Sequence, residues 1–138
     1  MIAPTEGELS ILRVLWEAGP LTVREVNDRL NRRLLKQRSA AEPPEKPIGY
    51  TTTLKLMQVM ADKGLVHRDT SARSHVYTAA AGRERTQQGL LRRFVDSTFG
   101  GSRTQLVLRA LGEGNPTSAE LAEIKDLIKQ LEKEDRHA

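Results

Sequence analysis

Residues 50–57 read Tyr50-Thr51-Thr52-Thr53-Leu54-Lys55-Leu56-Met57, and the conformation of this stretch decides the fold. Three consecutive threonines favour a strand by propensity. The spacing points the other way, because Thr53, Leu56, Met57 and Met60 fall at i, i+3, i+4 and i+7, the repeat of one helical face. Lys63-Gly64 then supplies a basic last turn and a glycine suited to the position just past a helix. The run is also longer than an ordinary strand. The pattern therefore predicts a helix held by packing rather than by propensity. Its packed face is Thr53, Leu56, Met57 and Met60, which leaves Thr51, Thr52, Leu54, Lys55 and Gln58 on the other side.

Upstream, two helices are announced by capping boxes. Thr5-Glu6-Gly7-Glu8 opens the first, whose apolar face is Leu9, Leu12 and Trp16, widened by Ile11 and Leu15. Ala18-Gly19-Pro20 ends it. Thr22 and Glu25 form the second box, followed by Val23, Val26, Leu30 and Leu34, with a fade near Leu35. The opposite face carries Arg24, Arg29, Arg32 and Arg33, which could flank a duplex or simply be solvated. Lys36 to Pro47 holds three prolines and no large apolar residue, and is expected to be a mobile loop.

Downstream, Leu65–Asp69 and Ser74–Thr78 are short β-prone pieces around the polar tip Thr70-Ser71-Ala72-Arg73, which predicts a two-stranded hairpin. The remainder is helical. Leu90, Leu91, Phe94, Val95 and Phe99 mark one helix, stopped by Gly100-Gly101. Leu106, Val107, Ala110 and Leu111 mark a second, expected to end at Gly112. Thr117 or Ser118 caps the last, where Leu121, Ile124, Ile128 and Leu131 repeat at 3, 4, 3 spacing with Leu127 beside them.

Composition narrows the chemistry. The chain has 138 residues, the size of one domain or of one small domain with an appendage, and no cysteine. Disulfides, thiolate metal sites and cysteine catalysis are thereby excluded. No run of about 18 apolar residues is present, and the start lacks a basic patch followed by an apolar stretch, so a cytoplasmic protein is the expectation. The net charge of +4 is uneven. Residues 24–75 carry eleven basic and six acidic side chains, whereas residues 1–23 carry one and three, and residues 76–138 carry ten and nine. The positive excess sits on the segment that holds the second and third helices and the hairpin, which suits a polyanion.

Helix, helix, loop, helix, hairpin is the order of a winged helix-turn-helix. The fold class is accordingly mainly α with a small β-hairpin wing, plus a C-terminal helical tail. Residues 1–81 are expected to bind DNA and residues 82–138 to dimerise. In the major groove, Thr51 and Thr52 can bond phosphate or base edges, Lys55 can reach guanine or phosphate, Gln58 can address adenine, and Leu54 stands beside them. Free N–H groups at Tyr50, Thr51 and Thr52 offer an anion site at the helix start, although short polar residues there can also simply cap it. The wing offers Arg68, Arg73, Ser74 and His75, with Arg73 the leading candidate for a phosphate or minor-groove contact. The tail cannot bury both faces on itself, so Leu91, Phe94, Val95, Leu121, Ile124, Ile128 and Leu131 are the expected dimer contacts. Two rivals stand beside this reading: a winged helix that binds protein rather than DNA, and a small hydrolase using His67 or His75. No cofactor, catalytic residue or metal site is expected, since no third ligand accompanies the two histidines and no hydrolase or phosphate-loop motif occurs.

Several stretches resemble the penicillinase repressor family. They are Glu8-Leu9-Ser10-Ile11-Leu12-Arg13-Val14-Leu15-Trp16, Gly19-Pro20-Leu21-Thr22-Val23-Arg24-Glu25-Val26, Tyr50-Thr51-Thr52-Thr53 and Met60-Ala61-Asp62-Lys63-Gly64-Leu65-Val66. Arg73-Ser74-His75-Val76-Tyr77, Phe99-Gly100-Gly101 and Leu106-Val107-Leu108 are similar as well, so the likeness spans nearly the whole chain. The resemblance implies a dimeric winged-helix repressor that occupies a pseudo-palindromic double-stranded DNA operator. In the family's antibiotic-responsive branch, a membrane sensor metalloprotease system triggers cleavage in the helical tail. The matching stretch here is Leu106-Val107-Leu108-Arg109-Ala110-Leu111, with the corresponding bond near Arg109–Ala110. The copper-responsive branch carries C-terminal cysteines that this chain lacks. Its loop from Lys36 to Pro47 is longer than usual, and Leu54 stands where the antibiotic branch often has a basic residue.

Overall fold

Thr5 begins the first helix as the sequence requires. Its hydroxyl accepts from Glu8 N–H at 3.2 Å, and Glu8 Oε1 accepts from Thr5 N–H at 2.9 Å, closing the box that starts α1 (Glu6–Ala18). The computed structural model describes residues 3–37 and 46–136. Most of the expected loop, residues 38–45, lies outside the described residues. The elements that follow are β1 (Leu21–Thr22), α2 (Val23–Gln37), α3 (Tyr50–Lys63), β2 (Val66–Asp69), β3 (Val76–Ala79), α4 (Arg83–Phe99), α5 (Arg103–Glu113) and α6 (Ser118–Arg136). The fold is thus mainly α with one small antiparallel sheet, the order of a winged helix followed by a helical tail.

The triple-threonine stretch is helical. Thr53, Met57 and Met60 are buried, Leu56 is half-buried, and Thr51, Thr52, Lys55 and Gln58 are exposed. Met57 and Met60 close on Ile11, Leu12 and Leu15 of α1, Val26 and Leu30 of α2, and Tyr77 of β3, one continuous apolar core. At Gly7 a methyl would lie 3.3 Å from Leu56 Cδ2, so α1 and α3 approach closely there. Gly64 takes the left-handed conformation, φ 80°, that ends α3 and sends the chain into β2.

The sheet differs from the expected hairpin. It has three strands in the order β1-β3-β2, with Leu21 opposite Tyr77 and Thr22 opposite Val76. Two residues carry no periodicity of their own, so β1 is invisible without its partner strand. Thr22 serves twice, pairing with β3 and capping α2, where it exchanges hydrogen bonds with Glu25 at 3.1 and 3.3 Å. The wing ladder runs Val66↔Ala79 to Asp69↔Val76. Ser74 and His75, expected in a strand, lie instead in the turn, since β2 ends at Asp69 and leaves them nothing to pair with.

The chain divides into two compact units, Met1–Leu91 and Arg92–Ala138. The division falls inside α4. The start of that helix belongs to the first unit because Trp16 Nε1 donates to Ala81 O at 2.8 Å and the Arg83 guanidinium lies over the Trp16 ring at 5.7 Å. In the second unit Phe94 and Phe99 meet edge to face at 5.7 Å. Its α5 runs through Gly112 to Glu113, one residue beyond the expected stop, and Gly114 N–H closes on Ala110 O. Thr117 and Glu120 form a capping box for α6. From Arg92 to Asp135 the one buried side chain among the described residues is Val95. Val95 was expected at a dimer contact, yet it is covered without a second copy, so it adds no apolar surface for one. Leu91, Phe94, Leu121, Ile128 and Leu131 are exposed, and Ile124 is half-buried.

Candidate nucleic-acid interface

The exposed side of α3 starts at a helix end with no side-chain cap. Gly49 is the N-cap residue and makes no capping bond, which leaves the N–H groups of Tyr50, Thr51 and Thr52 without a partner from that side chain. One turn further on, Lys55 and Gln58 extend the polar strip. Leu54 is half-buried and packs against the core cluster rather than standing free among them. It sits at the border of the two faces, one turn before Met57, where apolar surface is available to cover it.

Arg24, in the first turn of α2, extends this surface. Its guanidinium lies 5.3 Å from the centre of the exposed Tyr50 ring, so a cation from one helix is stacked at the start of the next. The sequence reading placed Arg24 in a basic run with Arg29, Arg32 and Arg33, but the structure separates them. Arg29, Arg32, Arg33 and Lys36 line a groove of about 180 Å³ between α1 and α2, floored by Val14 and Ala18, and Arg33 pairs with Glu17 there. That Glu17 carboxyl is held below the usual range by the Arg33 hydrogen bond.

Arg68, Arg73, Ser74 and His75 are all exposed, Arg68 on β2 opposite Tyr77 and the others in the β2–β3 turn. The turn is shaped by Asp69 Oδ1, which accepts from Ser71 N–H at 2.9 Å, and hydrogen bonds from Ser71 hold the Asp69 carboxyl below its usual range. His67 lies on β2 opposite Thr78. No group of three or more metal-ligating side chains gathers among the described residues. Arg109 and Ala110 are exposed on α5, where Arg109 pairs with Glu113 at 3.5 Å.

Sequence reasoning missed the polar contacts that hold α3 in place. Asn27 and Asn31, one turn apart on α2, bind the peptide of Ile48 and the hydroxyl of Thr53. At the other end of α3, Lys63 Nζ bonds Glu8 Oε2 at 2.9 Å. Burial pushes the Glu8 carboxyl up, but the Thr5 amide, the Lys63 ammonium and the Thr5 hydroxyl together outweigh it, and the net shift is downward. The only available signals were an Asn pair at i, i+4 on a helix and a Glu at N3, both of which ordinarily face water.

A third helix with an open polar face, packed on a helix pair and followed by an antiparallel wing, defines the winged helix-turn-helix class. The family model described as penicillinase repressor matches residues 4–130, and the chain belongs to that family. It is a DNA-binding transcriptional repressor. None of the curated proteins matches it. No helix among the described residues is long and apolar enough to cross a membrane.

Proposed function

We propose that the chain acts as a homodimer on a pseudo-palindromic operator, with residues 1–81 binding DNA and residues 82–138 joining the two copies. The observation that carries the reading is the division of α3, which buries Thr53, Met57 and Met60 while exposing Thr51, Thr52, Lys55 and Gln58. In this reading those four side chains enter the major groove. Tyr50 and Arg24 meet the phosphates at its edge, and Arg68, Arg73, Ser74 and His75 form the wing contact. Leu54 contributes at most its exposed edge, against a thymine methyl. The two copies associate through the apolar faces of the tail, and a cut near Arg109–Ala110, delivered by a membrane sensor metalloprotease system, releases the operator by separating them. Because that bond lies within α5, local unwinding has to precede cleavage.

The test is a genomic pull-down with the full chain, followed by titration of the recovered duplex. Each neutralised phosphate should steepen the fall of affinity with salt by about 0.9 in logarithmic slope. A flat salt profile would overturn DNA binding through this surface. Lys55→Ala is expected to weaken binding to the recovered duplex by roughly 1–3 kcal/mol while leaving the unfolding midpoint in place, because Lys55 is exposed. Loss of the fold in that variant would contradict the assignment of faces.

Gly49→Asp separates stability from function. Its backbone (φ −71°, ψ 151°) suits any residue, and an added methyl meets nothing within 4 Å, so the new carboxylate fits as an N-cap. It should stabilise the fold by a few tenths of a kcal/mol. The same carboxylate takes up the N–H donors at Thr51 and Thr52 and sets a negative charge where a phosphate would lie. Affinity for the duplex should therefore drop by roughly tenfold or more. Unfolding and DNA titrations of the one variant moving in the same direction would count against phosphate binding at this helix end.

A further inference from the structure

The first turn of α3 is bracketed from outside the helix. Asn31 Oδ1 accepts from Ile48 N–H at 2.7 Å and its Nδ2 donates to Ile48 O at 3.1 Å, so one side chain holds both backbone polar groups of the same residue, and with them the two peptide units that flank it. Asn27 Nδ2 donates to that carbonyl at 3.0 Å and to Thr53 Oγ1 at 2.8 Å. The two amides are joined to each other by Asn31 Nδ2 donating to Asn27 Oδ1 at 3.4 Å. Both hydrogens of each amide are used, and their orientations are fixed because Ile48 N–H must meet an oxygen and Ile48 O a nitrogen. The residues held are 48 and 53. Between them lie Tyr50, Thr51 and Thr52, the turn that the proposed function sets against DNA.

That turn has no hold of its own. Its N-cap is a glycine without a capping bond, and its threonines are weak helix formers. A helix end left in this state frays or swings, whereas base discrimination needs side chains held to within about half an ångström. A capping side chain at 49 would fix the end but would use the N–H groups that face the phosphate. Clamping through Ile48 and Thr53 fixes it and leaves those donors free.

We infer that Asn27 and Asn31 are positioning residues for sequence discrimination: without touching DNA, they set the direction in which Thr51, Thr52 and Lys55 point. The inference rests on the DNA-reading role proposed for α3. A purely structural clamp would lower stability and affect all DNA alike. A positioning clamp acts on the ratio of specific to non-specific binding, because phosphate contacts from flexible Lys and Arg side chains tolerate a small tilt and base contacts do not.

The experiment uses the full chain carrying Asn31→Leu, the genomic duplex recovered with the wild type, and a scrambled duplex of equal length. Unfolding is followed in parallel to show that the variant is folded at the assay temperature. Affinity for the recovered duplex should fall tenfold or more, while affinity for the scrambled duplex and the salt slope stay within twofold of wild type. Equal losses on both duplexes, or no loss on either, overturn the inference. If Asn31→Leu fails to fold, Asn31→Ala is read in the same way, since a water can occupy the vacated site at this half-buried position. A wild type that does not distinguish the two duplexes would instead sink the DNA-reading role itself.

Discussion

Ile128→Asp combined with Leu131→Asp is expected to convert the proposed dimer to monomers and to lower affinity for the recovered duplex by roughly 10²–10⁴-fold. From Arg92 to Asp135 the described residues bury one side chain, while Ile128 and Leu131 stay 47% and 54% exposed and Leu121 and Leu127 lie open on the same helix. Apolar surface of that extent along one helix usually marks an interface. Because both residues are already exposed, changing them removes little from the fold of a single copy. Covered by a second copy, each new carboxylate would be buried without a partner, so its desolvation adds to the lost apolar contact. Separating the copies makes the second half-site an independent encounter rather than a tethered one, which is the source of the large factor. Sedimentation equilibrium at micromolar concentration reads the first effect, and duplex titration reads the second. Leu35→Asp, an equally drastic change at a 69% exposed residue of α2, should leave both unchanged. A variant that remains dimeric would remove this seam from the interface.

The helices were legible in the sequence because each carries its own local signal. Two of the described helices begin at capping boxes that the structure reproduces bond for bond, at Thr5 and Thr22, and of the two caps offered for the last helix Thr117 is the one used. For α3, periodicity outweighed the propensity of three threonines, and the deciding residue was Thr53. Read as core, it is buried, and its hydroxyl is satisfied by Asn27. What escaped was everything paired at long range. The strand β1 exists only because β3 lies beside it, more than fifty residues away in sequence. Asn27, Asn31 and Glu8 are polar residues on helices, which sequence patterning assigns to water. Each is withdrawn from it by a partner 17 to 55 residues away. Leu54 was misplaced for a related reason: at the border between two faces, the helical period alone does not say which side has apolar surface to cover a leucine.

Those long-range polar contacts also lead to the largest expected change in stability. Glu8 is 1% exposed and Lys63 about one-third exposed, so the carboxylate depends on its partners far more than the ammonium does. Lys63→Met should cost roughly 2–3 kcal/mol near neutral pH, somewhat below the range for a fully buried pair because Lys63 is partly hydrated. Glu8→Gln should cost less, since the ammonium left behind can turn to water. The two effects should not add. With the carboxylate gone there is no stranded charge, and the double variant should lie well above the sum of the single losses. The pH dependence gives an independent sign. In the wild type the Glu8 carboxyl sits below its ordinary value of 4.5. Its contribution to stability is therefore complete above that value and is lost as pH falls through the lowered one. Without Lys63, burial is opposed only by the Thr5 amide and hydroxyl, so the carboxyl should rise. Acid then relieves Lys63→Met by protonating the stranded group. The gap between variant and wild type should narrow as pH falls from 7 through 4.5 toward the lowered wild-type titration, in urea titrations at one protein concentration. A gap that stays constant over that range would mean that Glu8 is no less stable as a carboxylate without Lys63. The ammonium would then contribute through packing of its stem and not through its charge.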